Sequence, residues 1–560
     1  MSLSLQITAS ALSCNEFLHC LFLRSGNSSI AKYVYTHHNS SYSFVLNSSA
    51  QNFRFTTPSN PTPLAIITPQ HASDIQATVL CSKKHGLQVR IRSGGHDFEG
   101  LSYTTAYAVP FIVIDLVNLR SVRVDVEDAT AWVESGATIG ELYYEIARRS
   151  RTLAFPAGTG HTVGVGGQFS GGGLGVLFRK HGLAADNVID ARLIDVNGRI
   201  LDRKSMGEDL FWAIRGGVTK TLDQNATKLV HRWQQIAHRF PKEIHLSVGI
   251  SRAGSSEANK TSTTIQASFR AIFLGSTNEL LSLMEEKFPE LGIMKQDCSE
   301  MSWAESNLYS TQFPIGSPLE TLLSRSRKSI LSKLFFKSKS DYVKQPIPET
   351  GLEGLWTKFY EYEAKSAIMV LVAYGGRMDE ISDTETPFPH RAGNLYSIMY
   401  VVDWEENENV DSEKYMSWMR RVYDYMTPYV SKSPREVYVN FKDLEIGSSG
   451  GKGSYEQARI WGVKYFKNNF DRLVRIKTNV DPENFFRHEQ SIPPLSCLVK
   501  KGAHESLIQN RGSRWKLKSA AAAALNSFLL NSFTGLNGGN KQNPAIKFHR
   551  KDRELRLYNI

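Results

Sequence analysis

The chain has 560 residues, more than one hydrophobic core usually organises, so two or more domains are expected. Hydrophobic residues make up 41% and charged residues 22% of it, a composition that excludes a chain disordered throughout. The sequence has no apolar run long enough for a transmembrane helix, so no membrane span is predicted. The formal net charge is +11, but residues 500–560 carry 12 Lys and Arg against 3 Asp and Glu, whereas the first 499 residues carry 54 against 52. Because the body is nearly neutral, no nucleic-acid partner is expected.

The first fifty residues suggest a secreted protein. Residues 1–13 end in small residues, as a signal peptide does, but lack its basic start, so they predict only a degenerate signal segment. Five glycosylation acceptors agree with secretion, three of them in this short stretch: Asn27, Asn39, Asn47, Asn225 and Asn259. The cysteines are too few for a disulfide scaffold and lack metal-site spacing: Cys14, Cys20, Cys81, Cys298 and Cys497.

The first half alternates β-branched runs with helical patterns. Ser73, followed by Gln76, predicts a helix that ends at Gly86, and Thr138 with Glu141 predicts a second capped helix. Strands are predicted at residues 64–67, 87–91, 111–116, 131–135 and 188–196. These elements indicate an α/β or α+β domain with its core at about 60–217.

The second half reads as a separate domain followed by a closing segment. Residues 218–430 mix amphipathic helices with strand-like runs, which favours a substrate-binding domain. After Pro434, a strand is predicted at 437–441 and a helical stretch at 455–473. Residues 496–560 are basic and show no pattern for packing on a core, so we expect a disordered tail.

Two glycine-rich segments carry the chemistry of the first domain. One is Arg92–His96, with two consecutive glycines, and the other runs from Gly158 to Gly175. Glycine allows positive φ and close backbone approach, so such loops can turn their N–H groups toward a pyrophosphate. Residues 163–169 neither follow a predicted strand nor open a predicted helix, so a dinucleotide-binding fingerprint is not satisfied. The alternative is that both segments are ordinary surface turns.

At these loops the sequence resembles the plant berberine bridge enzyme-like flavoproteins. The resemblance runs from residue 14 to 495 and rests on RIRSGGHDFEGLSY (90–103), VGVGGQFSGGG (163–173), PFPHRAGNLY (387–396) and YVNFKDLEIG (438–447). It implies an α+β fold with a two-subdomain PCMH-type FAD-binding domain at 14–217, to which a berberine-bridge segment at 431–495 returns. It also implies an α/β substrate domain with an antiparallel sheet at 218–430.

The resemblance assigns residues around the expected FAD. His96 corresponds to the histidine that bonds covalently to the flavin 8α-methyl group, although a lone loop histidine is the alternative. Arg92, Ser93, Gly94 and Gly95 would hold the pyrophosphate, and Cys20 would pair with Cys81 in a disulfide. The second loop would supply the remaining cofactor contacts, at Gly158, Gly160, His161, Thr162, Val163, Gly164, Gly166, Gly167, Ser170, Gly171 and Gly172.

The chain departs from the family at the catalytic positions. Gly160 replaces a cysteine that makes a second flavin bond in many relatives, so one covalent bond is expected. Phe441 stands where the family has its tyrosine base, and Ser397 and Met399 stand where a polar helper is usual. Since a phenyl ring cannot accept a proton, the base is unassigned. Phe98 and Leu174 stand where many relatives have two further tyrosines on the substrate side. Three tyrosines remain as alternatives for the base: Tyr396, Tyr400 and Tyr438.

A second departure is a gap. Relatives carry a strand-forming stretch of about two dozen residues after the position of Gly217, whereas this chain continues at once with Val218. Its absence would leave a sheet edge exposed. By the resemblance, Val163 stands at the position that controls the access of O2 to the flavin, and valine is the residue found in relatives that admit O2. The sequence therefore predicts a secreted, monomeric FAD-dependent oxidase for an alcohol-type substrate, with O2 reduced to H2O2. The alternative is a catalytically silent FAD-binding relative.

Overall fold

The computed structural model describes residues 14–25, 28–107, 109–206, 226–254, 263–311, 313–325, 335–449, 454–495, 546–547, 549–550 and 556–559. Residues 1–13 and the junction at 217–218 lie outside these ranges, as do the acceptors Asn27, Asn225 and Asn259. Within the described ranges, no helix combines the length and apolarity that crossing a membrane requires.

A four-stranded sheet forms the first layer of the fold. The strand Phe111–Asp115 pairs in parallel with Ala65–Ile67 on one side and with Gln88–Arg92 on the other. The strand Val34–Thr36 pairs antiparallel with Ala65–Ile67. All five residues of Phe111–Asp115 are buried, which explains its continuous apolar run. The Cys20–Cys81 disulfide joins a helix at residues 14–24 to the helix Ala72–Lys84, as expected.

The helix Ala72–Lys84 begins two residues before the predicted start. The cap is His71, not Ser73, because the Asp74 carboxylate accepts the backbone N–H groups of Gln70 and His71 at 2.9 and 3.0 Å. Its end at Gly86, with φ +66°, is confirmed. The second capped helix, Ile139–Arg149, begins at Thr138 with Glu141 closing the capping box, also as predicted.

The rest of the first region is a core into which the closing segment returns. Its strands are Val122–Asp125, Thr130–Val133, Leu153–Ala154, Leu193–Ile194 and Ile200–Leu201, and its helices are Tyr42–Asn47, Val165–Ser170, Phe178–His181 and Arg203–Met206. The helices Tyr455–Phe466 and Asn469–Val480 bury Trp461, Phe470 and Leu473 in the same core as Leu142 and Phe155. The long strand predicted at 188–196 shrinks to Leu193–Ile194, and residues 437–441 form no strand.

The second region is built on a seven-stranded antiparallel sheet. Across the sheet the strands run Cys298–Ser299, Arg556–Asn559, Thr263–Phe273, Ile244–Gly254, Ile368–Ala373, Tyr396–Trp404 and Phe335–Val343. One face packs against helices in a core that contains Trp233, Leu355 and Trp418. The helices of this region are Ala226–Ile236, Thr277–Lys287, Trp303–Ser310, Glu349–Phe359, Arg377–Glu380 and Ser412–Tyr425. The other face turns toward the first region through Val370, Val372 and Met399.

The carboxyl-terminal residues contradict the expectation of a tail without partners. Ile546–Lys547 pairs with Thr130–Val133, and His549–Arg550 pairs with Leu153–Ala154. Arg556–Asn559 lies between two strands of the seven-stranded sheet. The prediction of disorder is therefore wrong for these three segments. It failed because short strands that complete a distant sheet need no periodic pattern of their own.

Candidate active site

The two glycine loops meet at their backbones. An added Cβ on Gly94 would collide with the backbone N of Gly164, and one on Gly164 would collide with the backbone N of Gly94. Gly95 has φ +70°, and a Cβ there would collide with the carbonyl O of Ser49. Only glycine permits contacts this close. The structure thus brings together the two segments that the sequence singled out.

A capped helix fixes the second loop from the other side. Its first backbone N–H groups donate to the loop, from Ile139 to the carbonyl O of Val163 at 2.8 Å and from Gly140 to that of His161 at 2.9 Å. The N–H of Val165 returns a bond to the carbonyl O of Ala137 at 3.0 Å. The first turn of the helix Ile139–Arg149 therefore fixes the position of the second loop.

His96 projects from the first loop toward the second. Its Nε2 lies 3.0 Å from the hydroxyl O of Thr162, and the residue is half-buried. It follows Gly95, whose positive φ turns the chain at that point. The imidazole is thus held between the two loops.

Arg92 is placed differently from the expectation. Its guanidinium is fully buried and forms an ion pair with Asp115, with Nη2 2.7 Å from Oδ2, and it also donates to the carbonyl O of Val45 at 2.6 Å. Its side chain therefore holds two strands together and cannot also bind a pyrophosphate. The sequence placed Arg92 correctly beside the loop but could not show which way its side chain points.

The remaining glycines of the second loop differ in how closely the protein packs around them. At Gly171 an added Cβ would collide with the side chain of Asn440. At Gly158 it would lie 2.6 Å from Gln168 Nε2, and at Gly160 it would lie 2.8 Å from Val163 Cγ2. At Gly167 it would meet no atom within 4 Å. The loop is thus closely packed at these three glycines and open at Gly167. Gly166 lies against Ser135, Ser170 donates to the carbonyl O of Gly166, and Gly172 has φ +111°.

Two expectations about this loop change. Residues Val165–Ser170 form a helix of six residues with Gly164 as its cap, although no helix was predicted there. The sequence missed it because the helix contains two glycines, Gly166 and Gly167, and is flanked by two more, and glycine has a low helix propensity. His161 is buried and its ring meets that of Phe313 edge-on, with 5.3 Å between centroids. That contact is typical of a packed loop histidine.

An aromatic wall faces the loops from the closing segment. Phe441 stacks parallel to Phe98 at 5.6 Å between centroids, and Tyr438 meets Phe441 edge-on at 4.9 Å. Leu174 belongs to the same cluster. The Tyr438 hydroxyl accepts a hydrogen bond from Asn440 Nδ2 at 3.0 Å, and burial raises its pKa well above the ordinary value. Tyr438 is the one tyrosine among the three alternatives that belongs to this wall, but its phenol stays protonated.

The other two alternatives for the base, Tyr396 and Tyr400, point away from the aromatic wall. Tyr396 donates to Gln234 Oε1 at 2.6 Å and Tyr400 to Asp341 Oδ2 at 3.0 Å, both within the core of the second region. Burial raises the pKa of both phenols. These two alternatives for the base therefore lie away from the aromatic wall, because strand residues alternate between faces. Ser397 and Met399 occupy the face that turns toward the first region.

The same face carries two tyrosines that the sequence analysis missed. The Tyr374 hydroxyl donates to that of Tyr342 at 3.3 Å, and the ring of Tyr342 stacks on His390 at 4.1 Å. His390 Nδ1 lies 2.9 Å from Glu436 Oε2 and its Nε2 lies 3.1 Å from the carbonyl O of Tyr465. Burial by itself raises the pKa of Glu436, but the hydrogen bond and charge of His390 outweigh it and lower that pKa to about 2. Tyr342 lies in the strand Phe335–Val343, and Tyr374 directly follows the strand Ile368–Ala373. Both strands are almost wholly buried, so no alternating pattern identified the two tyrosines.

Comparisons with known proteins match both parts of this site. Residues 63–203 match the FAD binding domain family, and residues 437–493 match the berberine and berberine-like family. The chain is 48% identical over 519 residues to Berberine bridge enzyme-like 27 of Arabidopsis thaliana, covering 87% of this chain and 94% of that relative. The solved structure of BBE-like protein 28 from Arabidopsis thaliana is 47% identical with a TM-score of 0.79, covering 86% of this chain and 100% of that one.

A grass pollen allergen is also similar. Phl p 4, which has glucose dehydrogenase activity, is 39% identical with a TM-score of 0.77, covering 86% of this chain and 99% of that one. An isoleucine-to-valine variant of Phl p 4, described as a glucose oxidase, is 39% identical with a TM-score of 0.78 and the same coverage of both chains.

Proposed function

The chain belongs to the berberine bridge enzyme-like family of FAD-linked oxidoreductases, and we propose that it is an oxidase that removes a hydride from an alcohol-type substrate and reduces O2 to H2O2. The single observation that carries the proposal is the imidazole of His96, held between two glycine loops whose backbones touch. Candidate substrates are carbohydrates, monolignols and alkaloid-like molecules. Glucose, which Phl p 4 uses, supports the first of these classes.

The residues of the candidate site have separate proposed roles. When bound, FAD supplies the hydride-accepting ring and the site for reaction with O2. Backbone N–H groups of the loop glycines Gly94, Gly95 and Gly164 would hold its phosphates, because these loops bring consecutive amides together. His96 is proposed as its covalent anchor, and Gly160 leaves no second anchor. The wall of Phe98 and Phe441 excludes water from the substrate side.

Val163 supports the oxidase assignment over a dehydrogenase. It is half-buried, and its carbonyl O accepts a hydrogen bond from the N–H of Ile139 at 2.8 Å, which fixes the backbone at this position. A change from isoleucine to valine accompanies the glucose oxidase description of the Phl p 4 variant. A small β-branched side chain at this place would leave room for O2.

The experiment that tests the function uses the purified full-length protein and its His96→Ala variant. After acid precipitation, the flavin of the wild type is expected to stay with the protein, whereas that of His96→Ala is expected to pass into the supernatant. The matched control is His19→Ala, which changes an exposed helical histidine and should retain acid-stable flavin. The same preparations are assayed for H2O2 with a panel of sugars and phenolic alcohols. Acid-stable flavin in His96→Ala would overturn the anchor.

A silent FAD-binding relative is the second candidate, and the site gives a specific reason to keep it. Phe441 and Met399 replace polar positions, and Tyr438 is held protonated by burial. A protein that retains flavin but neither bleaches nor releases H2O2 with any member of the panel would support this candidate. The same assay therefore separates the two.

We also place the protein in the secretory pathway or cell wall, as a monomer. The Cys20–Cys81 disulfide and the exposed acceptors Asn39 and Asn47 support secretion, since disulfides persist in oxidising compartments.

A further inference from the structure

Three short strands near the carboxyl terminus each pair with a different part of the body. Ile546 and Lys547 pair with Ala131 and Thr130, and His549 and Arg550 pair with Ala154 and Leu153. Arg556–Asn559 pairs with Phe273 to Arg270 on one side and with Ser299 and Cys298 on the other. All of these pairings are antiparallel, so one stretch of chain adds strands to both regions.

Each pairing covers a strand edge. In the described part of the chain, Thr130–Val133 has Val122–Asp125 on one side and Ile546–Lys547 on the other. Leu153–Ala154 has His549–Arg550 as its partner there. Arg556–Asn559 links Cys298–Ser299 to the long strand Thr263–Phe273. Without these residues the edges would present unpaired N–H and C=O groups, which is costly in a buried sheet and promotes aggregation on an exposed one.

The covered edges belong to strands that come before and after residues 217–218 in the sequence. The described chain leaves the first region at Met206 and enters the second at Ala226. Between them Val218 follows Gly217, where the family resemblance implies a strand-forming stretch. A stretch at that point would connect the same two regions. The carboxyl-terminal strands also connect the two regions, and they pair with strands of both.

We propose that the three strands at 546–547, 549–550 and 556–559 form a donor segment that completes, within one chain, the sheets of both regions and takes the place of the stretch that the resemblance implies after Gly217. The segment also supports the candidate site, because Leu153–Ala154 leads directly into Phe155 and the glycine loop that begins at Gly158. Loss of the pairing at His549–Arg550 therefore loosens that loop.

The donor belongs to the same chain rather than to a second copy. Residues 496–545 could extend to about 165 Å, whereas a globular chain of this length has a radius of gyration of only about 24 Å. The linker is thus long enough to reach all three edges, and covalent connection gives the segment a high effective concentration there. A neutral body offers no electrostatic barrier to the basic segment.

The register offers a direct test in the full-length protein. Position 558 pairs with Cys298, which is a free cysteine, and directly opposite residues of antiparallel strands lie within the Cα separation that a disulfide accepts. In a background with Cys14→Ser and Cys497→Ser, Tyr558→Cys is expected to form a disulfide with Cys298 within one chain, detected by non-reducing peptide mapping. The matched control is Leu557→Cys, because position 557 pairs with Ser299 and successive strand positions alternate between faces.

The outcomes are decisive. A disulfide in Tyr558→Cys and none in Leu557→Cys supports the proposal, whereas equal crosslinking in both variants, or none in Tyr558→Cys, overturns it. A disulfide between two chains, seen as a dimer on a non-reducing gel, also overturns it in favour of exchange between copies.

Hydrogen exchange is a second measurement, and its first readout uses the unmodified protein. The amides of residues 270–273 and 556–559 are expected to be protected, and Leu557→Pro, which removes one N–H from the inserted strand, is expected to speed exchange at 270–273. The control, Asp552→Pro, lies between the paired segments and should not. Rapid exchange at 556–559 in the unmodified protein would overturn the proposal whether or not the chain oxidises any substrate.

Discussion

At Gly94 a hydrogen in place of a methyl group decides whether the two glycine loops can touch. The position lies against the backbone of Gly164, and relief would require one loop to move. Gly167, only three residues beyond Gly164, has open space instead. The two glycines therefore serve different needs, one for packing within the protein and the other for keeping a surface free.

This contrast predicts different outcomes for two alanine variants. Gly94→Ala is expected to lower both thermal stability and flavin content, because overpacking of this kind costs about 1–3 kcal/mol. Gly167→Ala is expected to keep the thermal stability, since alanine favours the helix and meets no protein atom. Thermal unfolding and the ratio of flavin to protein absorbance measure the two effects. Equal destabilisation by both variants would contradict the steric argument.

At the scale of elements, the helix Ile139–Arg149 links a local sequence signal to the site. Thr138 Oγ1 accepts the N–H of Glu141 at 3.2 Å, and the Glu141 carboxylate accepts the N–H of Thr138 at 2.9 Å. Thr138 also forms a β-bridge with Gly164 in the second loop. The cap therefore stabilises a helix and a ligand loop together.

A second capping box in the chain provides a matched comparison. Ser276 and Glu279 cap the helix Thr277–Lys287 with the same pair of hydrogen bonds. Thr138→Ala and Ser276→Ala should each lower the free energy of unfolding by about 1 kcal/mol. Thr138→Ala alone should also lower flavin retention during dialysis. If Ser276→Ala loses flavin equally, the loss reflects general stability and not the loop.

At the scale of the whole molecule, buried charges connect segments that are distant in sequence. His390 lies between the Glu436 carboxylate and the carbonyl O of Tyr465, so it joins the second region to the closing segment. Glu436 also forms an ion pair with Lys344. Breaking such a pair leaves a buried charge without compensation, which is strongly destabilising.

The lowered pKa of Glu436 predicts a loss of stability in acid. Its pKa is about 2 in the folded protein and near 4.3 when unfolded, so its contribution is complete above about pH 5 and is lost as the pH falls toward 2. Glu436→Gln should be less stable than the wild type at pH 7 but should lose less melting temperature between pH 5 and 3. Glu285→Gln, at an exposed carboxylate, is the control and should follow the wild type. Parallel curves for all three proteins would contradict this role.

The sequence by itself determined the features that depend on local backbone chemistry. Glycine clusters, the Thr138–Glu141 cap and the Gly86 terminus all follow from φ preferences and hydrogen bonds within a few residues, and their motifs were long enough to identify the family. The pairing of Cys20 with Cys81, expected from the resemblance, also agrees with the structure.

Only the tertiary structure decided where side chains point and which edges meet. Tyr396–Trp404 is buried on both faces at its start, so its alternation did not show that Tyr396 and Tyr400 turn away from the site. Arg92 needed the position of Asp115, on a neighbouring strand, before its inward orientation was evident. The carboxyl-terminal strands needed sheets more than 250 residues earlier in the chain. In each case the deciding partner is distant in sequence, and no local pattern records it.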